Sequence, residues 1–535
     1  MRTLLALGLL AVITLSGADI PRKPNVIVVL ADDVGLPRIG CYGGAPFRTP
    51  HIDRLAANGL RFERCYSMPL CGPSRGALLT GKYPFRTGYL GNNSSTIAPD
   101  RHPTVANVLQ KAGYATCAIG KLGQSAPEDD VRAPRALGFD EYMLWMGRNT
   151  PDRYWNSRYC RNGEFVQGGP DQYGPDVTHD FLVDFMRRNR ERPFFVYYSA
   201  VLAHTPFMRT PESAPDTKDR GQLLTDMVHY LDTLMGRLAA DLDRLGLRDN
   251  TIIIFTSDNG PYGDPTGTVH GKAVAGVKGE TTEGGVREPL IVNCPAMVPG
   301  GRVCADLTDF TDIFPTVLEL SGVTPPTDLK LDGRSFAPQA LGRSGKPRDW
   351  VYAQLANDYF IADRRHKLYG DGRLTDITDS PGPETPVKDG DEAGIDARAR
   401  LSAALSKLRD GVPTAVKTAP KSFRPKPAPS KQAPVASEAL LADLRLLAER
   451  KVIDDVGRWT GRSDLEGARV AEMLIKAAGQ FAPTSGTEEA IAVLQREGVI
   501  ISTPYWKEHA KAGMTCDATS VARLIHKAAD RLRSR

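Results

Sequence analysis

A chain of 535 residues is too long for one ordinary hydrophobic core, so two or three domains are expected. Hydrophobic residues at 41% and charged residues at 24% are an ordinary globular composition. A net charge of +5 set against 68 basic and 63 acidic side chains is too small an excess to call for a nucleic-acid partner, and none is expected.

The first residues read as a secretory signal. Arg2 supplies a positive start, Leu4 to Leu15 is an apolar run, and Ser16 and Ala18 are the small residues of a cleavage site before Asp19. The run falls short of the ~20 residues a membrane span needs, and no cysteine follows it to carry a lipid. No later segment is long and apolar enough to cross a bilayer. Residues 1–18 are therefore expected to be removed, and the rest exported to the periplasm or the medium.

Next comes Asn25-Val-Ile-Val-Val-Leu30, a short β-branched run that reads as a buried parallel strand. Pro193-Phe-Phe-Val-Tyr-Tyr198 and Thr251-Ile-Ile-Ile-Phe-Thr256 share its character, and helical patterns at Thr104 to Ala112 and Leu223 to Leu245 lie between them. Strands alternating with helices predict an α/β fold over residues 19–349, a mostly parallel sheet sandwiched by helices. Such sheets bind ligands beyond the carboxyl ends of their strands, and there these runs lead into Asp32-Asp33, His204 and Asp258-Asn259.

Residues 350–412 change texture. Val351 to Gln354 and Tyr359 to Asp363 predict short antiparallel strands, and Ile395 to Leu408 a closing helix, together a small subdomain. Residues 413–436, rich in Pro, Lys, Ala and Ser, read as an extended linker. Residues 437–535 hold a weak internal repeat: Leu446 to Ile453 and Trp459 resemble Val493 to Ile500 and Trp506, and Val470 to Ala478 resembles Val521 to Ala529. Two packed copies of a helical unit are expected there.

Three groups of residues carry the chemistry. The first is Cys71-Gly72-Pro73-Ser74-Arg75, followed by Leu79-Thr80-Gly81. Pro73 restricts the backbone and Ser74 is a candidate helix N-cap, which sets Cys71 near a helix N-terminus where an anion is favoured; a structural cysteine beside a cap is the alternative. The second is the strand-end set Asp32, Asp33, Asp258 and Asn259, hard oxygen donors suited to calcium or magnesium. The third is a set of cationic and imidazole side chains, Arg75, Lys121, His204 and Lys278, each of which taken singly reads equally well as a solvated polar residue.

In this order the segments resemble the sulfatase family and its alkaline-phosphatase-like fold, from about residue 24 to 380. The likeness includes Thr49-Pro50-His51-Ile52-Asp53 near the start and His366-Lys367-Leu368-Tyr369 near the end. The resemblance implies that a formylglycine-generating enzyme oxidises Cys71 to formylglycine. It implies that Asp32, Asp33, Asp258, Asn259 and the converted Cys71 ligate a dication, calcium with magnesium as the alternative. Arg75, Lys121 and Lys278 would hold the aldehyde hydrate and the sulfate, and His204 would stand at the leaving group. The implied substrate is a sulfated small molecule or polysaccharide. A phosphoester or phosphonate hydrolase of the same superfamily, and a weakly active sulfatase-like binding protein, are the rival readings. One departure stands out: the family's Gly-Lys-Trp-His-Leu-Gly is here Gly120-Lys121-Leu122-Gly123-Gln124, which removes an imidazole, and glutamine is no base.

Eight cysteines in an exported chain suggest disulfides. Reserving Cys71 for catalysis leaves an odd seven, no CxxC or zinc spacing appears, and Cys294 and Cys304, flanking a Pro/Gly loop, are a candidate pair.

Overall fold

The computed structural model describes residues 23–92, 97–122, 130–146, 153–263, 265–274, 276–388 and 390–410, and a few short stretches beyond residue 445. The proposed signal segment and linker, and most of the C-terminal repeat, lie outside the described residues. The chain divides into two compact units, Met1–Pro425 and Lys426–Arg535.

A ten-stranded sheet organises the first unit. Its strands in chain order are β1 (Asn25–Ala31), β2 (Leu60–Tyr66), β3 (Ala115–Gly120), β4 (Glu141–Leu144), β5 (Arg158–Arg161), β6 (Glu164–Gln167), β7 (Phe194–Ser199), β8 (Thr251–Ser257), β9 (Arg287–Asn293) and β10 (Arg302–Asp309). Their order across the sheet is β10-β2-β9-β8-β1-β7-β3-β4-β5-β6. Strands β8, β1, β7, β3 and β4 are mutually parallel, while β9 and β5 run against their neighbours.

The apolar runs become central strands because both of their faces are covered. Val26, Val28 and Leu30 of β1 enter one hydrophobic core, and Ile27, Val29 and Ala31 enter the other. Successive side chains of a strand point to opposite faces, so a continuous apolar run suits only a sheet buried on both sides. Helices Gly174–Arg188 and Arg220–Arg244 bury residues such as Leu182, Phe185, Leu231 and Leu238 in the second core. Ile313–Leu320 packs into the first.

A separate antiparallel sheet follows, with β11 (Val351–Leu355), β12 (Asp358–Ala362), β13 (His366–Tyr369), β14 (Leu374–Asp376) and β15 (Thr385–Pro386). The helix Glu392–Leu408 starts three residues before its expected position, because the Asp391 side chain accepts from Gly394 N–H and caps it there.

One expectation needs correction. Cys294 and Cys304 are not bridged: Cys294 is buried with its sulfur against the Asp249 carbonyl at 3.3 Å, and Cys304 is a free thiol on β10. In the tail, where most of the expected helical repeat lies outside the described residues, Asp464–Glu466 and Thr515–Asp517 pair as antiparallel strands. These strands lie 51 residues apart, the spacing that separates Val470 from Val521, and Leu465 pairs with its repeat counterpart Cys516. The pairing therefore joins matching segments of the two repeats.

Candidate active site

Five adjacent parallel strands deliver polar residues from their carboxyl ends. Asp258 follows β8, Asp32 and Asp33 follow β1, His204 lies beyond β7, Lys121 follows β3 and Trp145 follows β4. Backbone hydrogen bonds carry the alignment past the strand ends. Asp258 N–H donates to Ala31 O at 3.0 Å, and Asp32 N–H to Leu202 O at 2.8 Å. Ala203 N–H donates back to Asp32 O at 2.8 Å, Lys121 N–H to Ser199 O at 2.8 Å, and Trp145 N–H to Gly120 O at 2.7 Å. Asp33 has φ 63°, in the left-handed region that costs a non-glycine residue energy and is often found at functional sites.

The charges are buried and interlocked. Lys121 Nζ lies 2.9 and 2.8 Å from the two Asp32 oxygens, and Lys278 Nζ lies 2.6 and 2.7 Å from those of Asp33. Arg75 donates to Asp258 Oδ2 at 2.6 Å, approaches Asp32 Oδ1 at 3.4 Å, and donates to the Lys121 carbonyl at 3.1 Å and the Ser199 hydroxyl. Burial alone would raise the Asp32 carboxyl, but Lys121, His204, Arg75 and Arg153 hold it well below the usual range. Asp33 is likewise lowered against burial, chiefly by Lys278. Asp258 goes the other way, to about 7, because burial and then the Asp32 charge oppose its ionisation. Asp258 therefore holds its proton because it is desolvated and lies beside an already ionised Asp32.

Asn259 Nδ2 donates to Asp33 Oδ1 and to Gly260 O, both at 2.9 Å, while its Oδ1 is buried without a hydrogen-bond partner among the described residues. Asp32, Asp33 and His204 can each offer a donor atom within 4.8 Å of one another. An unpartnered buried oxygen beside crowded carboxylates is what a hard cation would satisfy.

Cys71 is the first residue of the helix Cys71–Thr80 and is 2% exposed. The helix N-cap is Leu70, not Ser74. The Ser74 hydroxyl instead accepts from Met68 N–H at 3.1 Å and donates to Met68 O at 2.9 Å, tying the approach to the helix onto its first turn. Asn92 supplies the cap: its Oδ1 accepts from Gly72 N–H at 2.9 Å, and its Nδ2 donates to Cys71 Sγ at 3.3 Å. The Lys278 loop is moored to the same turn by Gly279 N–H donating to Pro69 O at 2.7 Å.

His204 is 22% exposed in its side chain, with Nε2 3.6 Å from Asp33 Oδ2. Its Nδ1 donates to the Thr205 carbonyl at 2.7 Å. Burial lowers its pKa to about 4, against the pull of Asp33 and Asp32. The imidazole of the unliganded protein is therefore neutral at pH 7, with Nε2 as the bare nitrogen.

Asp32, Asp33, Arg75, Lys121, His204, Asp258, Asn259 and Lys278 thus form one linked cluster, and Cys71 lies close enough to Arg75 and Lys278 to contribute to the electrostatics of both. Gly123 and Gln124, where the family's second histidine is missing, lie outside the described residues. Asn92, Arg153 and Glu288 escaped the sequence reading. Arg153 Nη1 donates to Asp32 Oδ2 at 3.2 Å. Glu288 is fully buried, and burial and then the Asp258 charge push its carboxyl well up. Asn92 and Arg153 arrive from segments with no motif of their own, and Glu288 lies in the family-like Lys278 to Pro289 segment without having been singled out there.

Comparison with known proteins gives the same reading. The sulfatase family model matches residues 24–323. Steryl-sulfatase of Mus musculus is 32% identical over 443 residues, a match covering 65% of this chain and 69% of that protein. N-acetylgalactosamine-6-sulfatase of Homo sapiens is 34% identical over 363 residues, covering 61% of this chain and 67% of that protein. Among solved structures, Ps i-CgsB superposes with a TM-score of 0.65 at 26% identity, covering 74% of this chain and 94% of that one. Its complex with k-i-k-neocarrahexaose superposes with a TM-score of 0.64 at 25% identity, covering 75% and 96%. With a family match over more than half of its length and relatives above 30% identity, the chain belongs to the sulfatase family and is a sulfuric ester hydrolase.

Proposed function

We propose that this protein is an exported sulfatase acting on sulfated carbohydrates through formylglycine at position 71 and one dication, calcium, held by Asp32, Asp33, Asp258, Asn259 and the converted residue 71. The observation that carries the metal assignment is the unpartnered Asn259 Oδ1 beside three crowded carboxylates, one of which is pushed up to about 7. The donors are hard and mostly anionic, so the residues fit calcium, with magnesium the alternative. Formylglycine supplies the attacking hydroxyl, and the dication supplies positive charge beside it.

The protein's own residues do the rest. Arg75, locked by Asp258 and the Lys121 carbonyl, and the ammonium groups of Lys121 and Lys278 face the anionic sulfuryl group and balance the charge it develops. These groups are already fixed by their carboxylate partners, so little reorganisation is needed when the ester binds. His204 presents Nε2 on the leaving-group side, its ring held by the Thr205 carbonyl. Because burial keeps the free imidazole neutral, its proton must be taken up together with the anionic ester, whose charge favours imidazolium. The carbohydrate substrate class rests on the N-acetylgalactosamine-6-sulfatase relative and on the neocarrahexaose complex of Ps i-CgsB. Export rests on the signal pattern of residues 1–18.

Four measurements test the proposal. Protein from its native host should yield a tryptic peptide in which residue 71 has lost its thiol sulfur; full alkylation as cysteine would remove the nucleophile. Asp258→Ala should abolish aryl sulfate turnover, as should exhaustive chelation, and calcium should restore the chelated wild type. Faster turnover of an aryl phosphate than of the matching aryl sulfate would favour the phosphoester hydrolase instead.

A further inference from the structure

Arg153 lies outside every segment that resembles the family's motifs, yet its side chain is only 8% exposed and reaches Asp32. Its position is built rather than incidental. The guanidinium stacks on Trp145, 4.2 Å from the ring centroid, and Trp145 is itself bonded to the carbonyl of Gly120, the residue before Lys121. On the other side, the Tyr154 hydroxyl donates to the Val201 carbonyl at 3.0 Å and shares that bond with the His204 carbonyl. The Arg153-Tyr154 pair therefore spans the gap between the Lys121 strand and the His204 loop.

The charge count asks what Arg153 is for. Asp32 already meets Lys121 at 2.8 Å and Arg75 at 3.4 Å, so a third cation adds little to its neutralisation. Four permanent cations, Arg75, Lys121, Arg153 and Lys278, face three carboxylates, Asp32, Asp33 and Asp258. Adding a dication widens the excess of positive charge. Arg153 Nε and Trp145 Nε1 are both buried without a hydrogen-bond partner among the described residues. A desolvated guanidinium held over an indole ring, with its Nε unpartnered among the described residues, is suited to a tetrahedral oxyanion.

Resting on the sulfatase reading above, we infer that Arg153 is a fourth sulfuryl-binding cation of this active site, holding non-bridging oxygens of the ester beside Lys121. A dication held by Asp32 would compete with Arg153 for that carboxylate, and the sulfuryl oxygens would be the acceptors that replace it. A guanidinium offers donors and no acceptor, so Arg153 cannot replace the missing histidine as a base.

The test uses calcium-loaded full-length protein carrying Cys71→Ala, which binds but cannot turn over, with inorganic sulfate as the calorimetric probe. Adding Arg153→Ala should weaken sulfate binding roughly 10–100-fold, the loss expected for a charge-assisted hydrogen bond. Arg153→Lys should recover only part of it, because a lysine offers neither the fork nor the stack. In protein with Cys71 intact and converted, Arg153→Ala should raise KM for nitrophenyl sulfate by a similar factor. If Arg153 serves only as a counter-ion to Asp32, its removal will leave sulfate binding unchanged while tightening calcium binding, and that result overturns the inference alone. Should Arg153→Ala fail to fold, Arg153→Gln gives the same reading. A parent protein that neither binds sulfate nor, when converted, hydrolyses the aryl ester overturns the sulfatase reading, and this inference with it.

Discussion

At the scale of single residues, His204 shows how environment sets a role. Its Nδ1 proton is committed to the Thr205 carbonyl, and burial pulls its pKa down to about 4. Protonation of the leaving oxygen matters most for a sugar alkoxide and little for a nitrophenolate, which is stable as an anion. His204→Ala should therefore slow a sugar sulfate more than a nitrophenyl sulfate, by a gap approaching the ~10²–10⁴-fold typical of general acid catalysis. The pH dependence follows from the sign of the shift. The proton-bearing fraction of the free protein shrinks as pH rises above about 4, so kcat/KM for the sugar sulfate should fall with rising pH where this proton limits the rate. Equal losses on both substrates in the variant would remove His204 from the acid role. Asp32, Asp33, Asp258 and Cys71 were legible in the sequence because each ends a strand or opens a helix within a motif. Arg153 was not, because its partners Trp145 and Asp32 are brought to it only by the packing of strands distant in the chain.

Between elements, a second buried charge cluster joins the end of β10 to the segment before β11. Arg348 lies 2.5 Å from Asp312 and 3.2 Å from Asp309, and the Tyr83 hydroxyl donates to Asp309 at 2.7 Å. Burial raises the Asp309 carboxyl from 3.8 to about 6; Arg348 opposes the rise and Asp312 adds to it. A raised carboxyl pKa means the folded state holds the proton more tightly than the unfolded state. This group's contribution to stability is thus fully present below pH 3.8 and is lost as pH rises through about 6. Asp309→Asn keeps an acceptor for Tyr83 and removes the titration. Its unfolding midpoint should depend less on pH across that window than the wild type's, and an unchanged pH profile would assign the effect elsewhere. Sequence texture anticipated the strand from Val351 on one side of this joint but not the strand Arg302–Asp309 on the other. It cannot report which carboxylate shares an arginine with which, since Asp309 and Arg348 are 39 residues apart.

For the molecule as a whole, the division into Met1–Pro425 and Lys426–Arg535 falls inside the Pro- and Lys-rich stretch proposed as a linker. Limited proteolysis should cut between residues 413 and 435 and release two fragments that each keep a cooperative unfolding transition; a tail that unfolds on release would contradict an independent module. The family, the α/β class and the nine candidate residues were readable from the chain alone, because apolar runs of one strand's length and the short motifs after them are local patterns. The pairing of Asp464–Glu466 with Thr515–Asp517 was not, since a three-residue strand has too little sequence pattern to stand out. Nor was the true cap of the Cys71 helix, which Asn92 supplies from 20 residues away in place of the local Ser74. Local sequence thus determined which elements form and which chemistry they carry. Tertiary structure decided the charge balance of the site, because Coulomb interactions and desolvation depend on distance and burial, and these exist only once the strands are side by side.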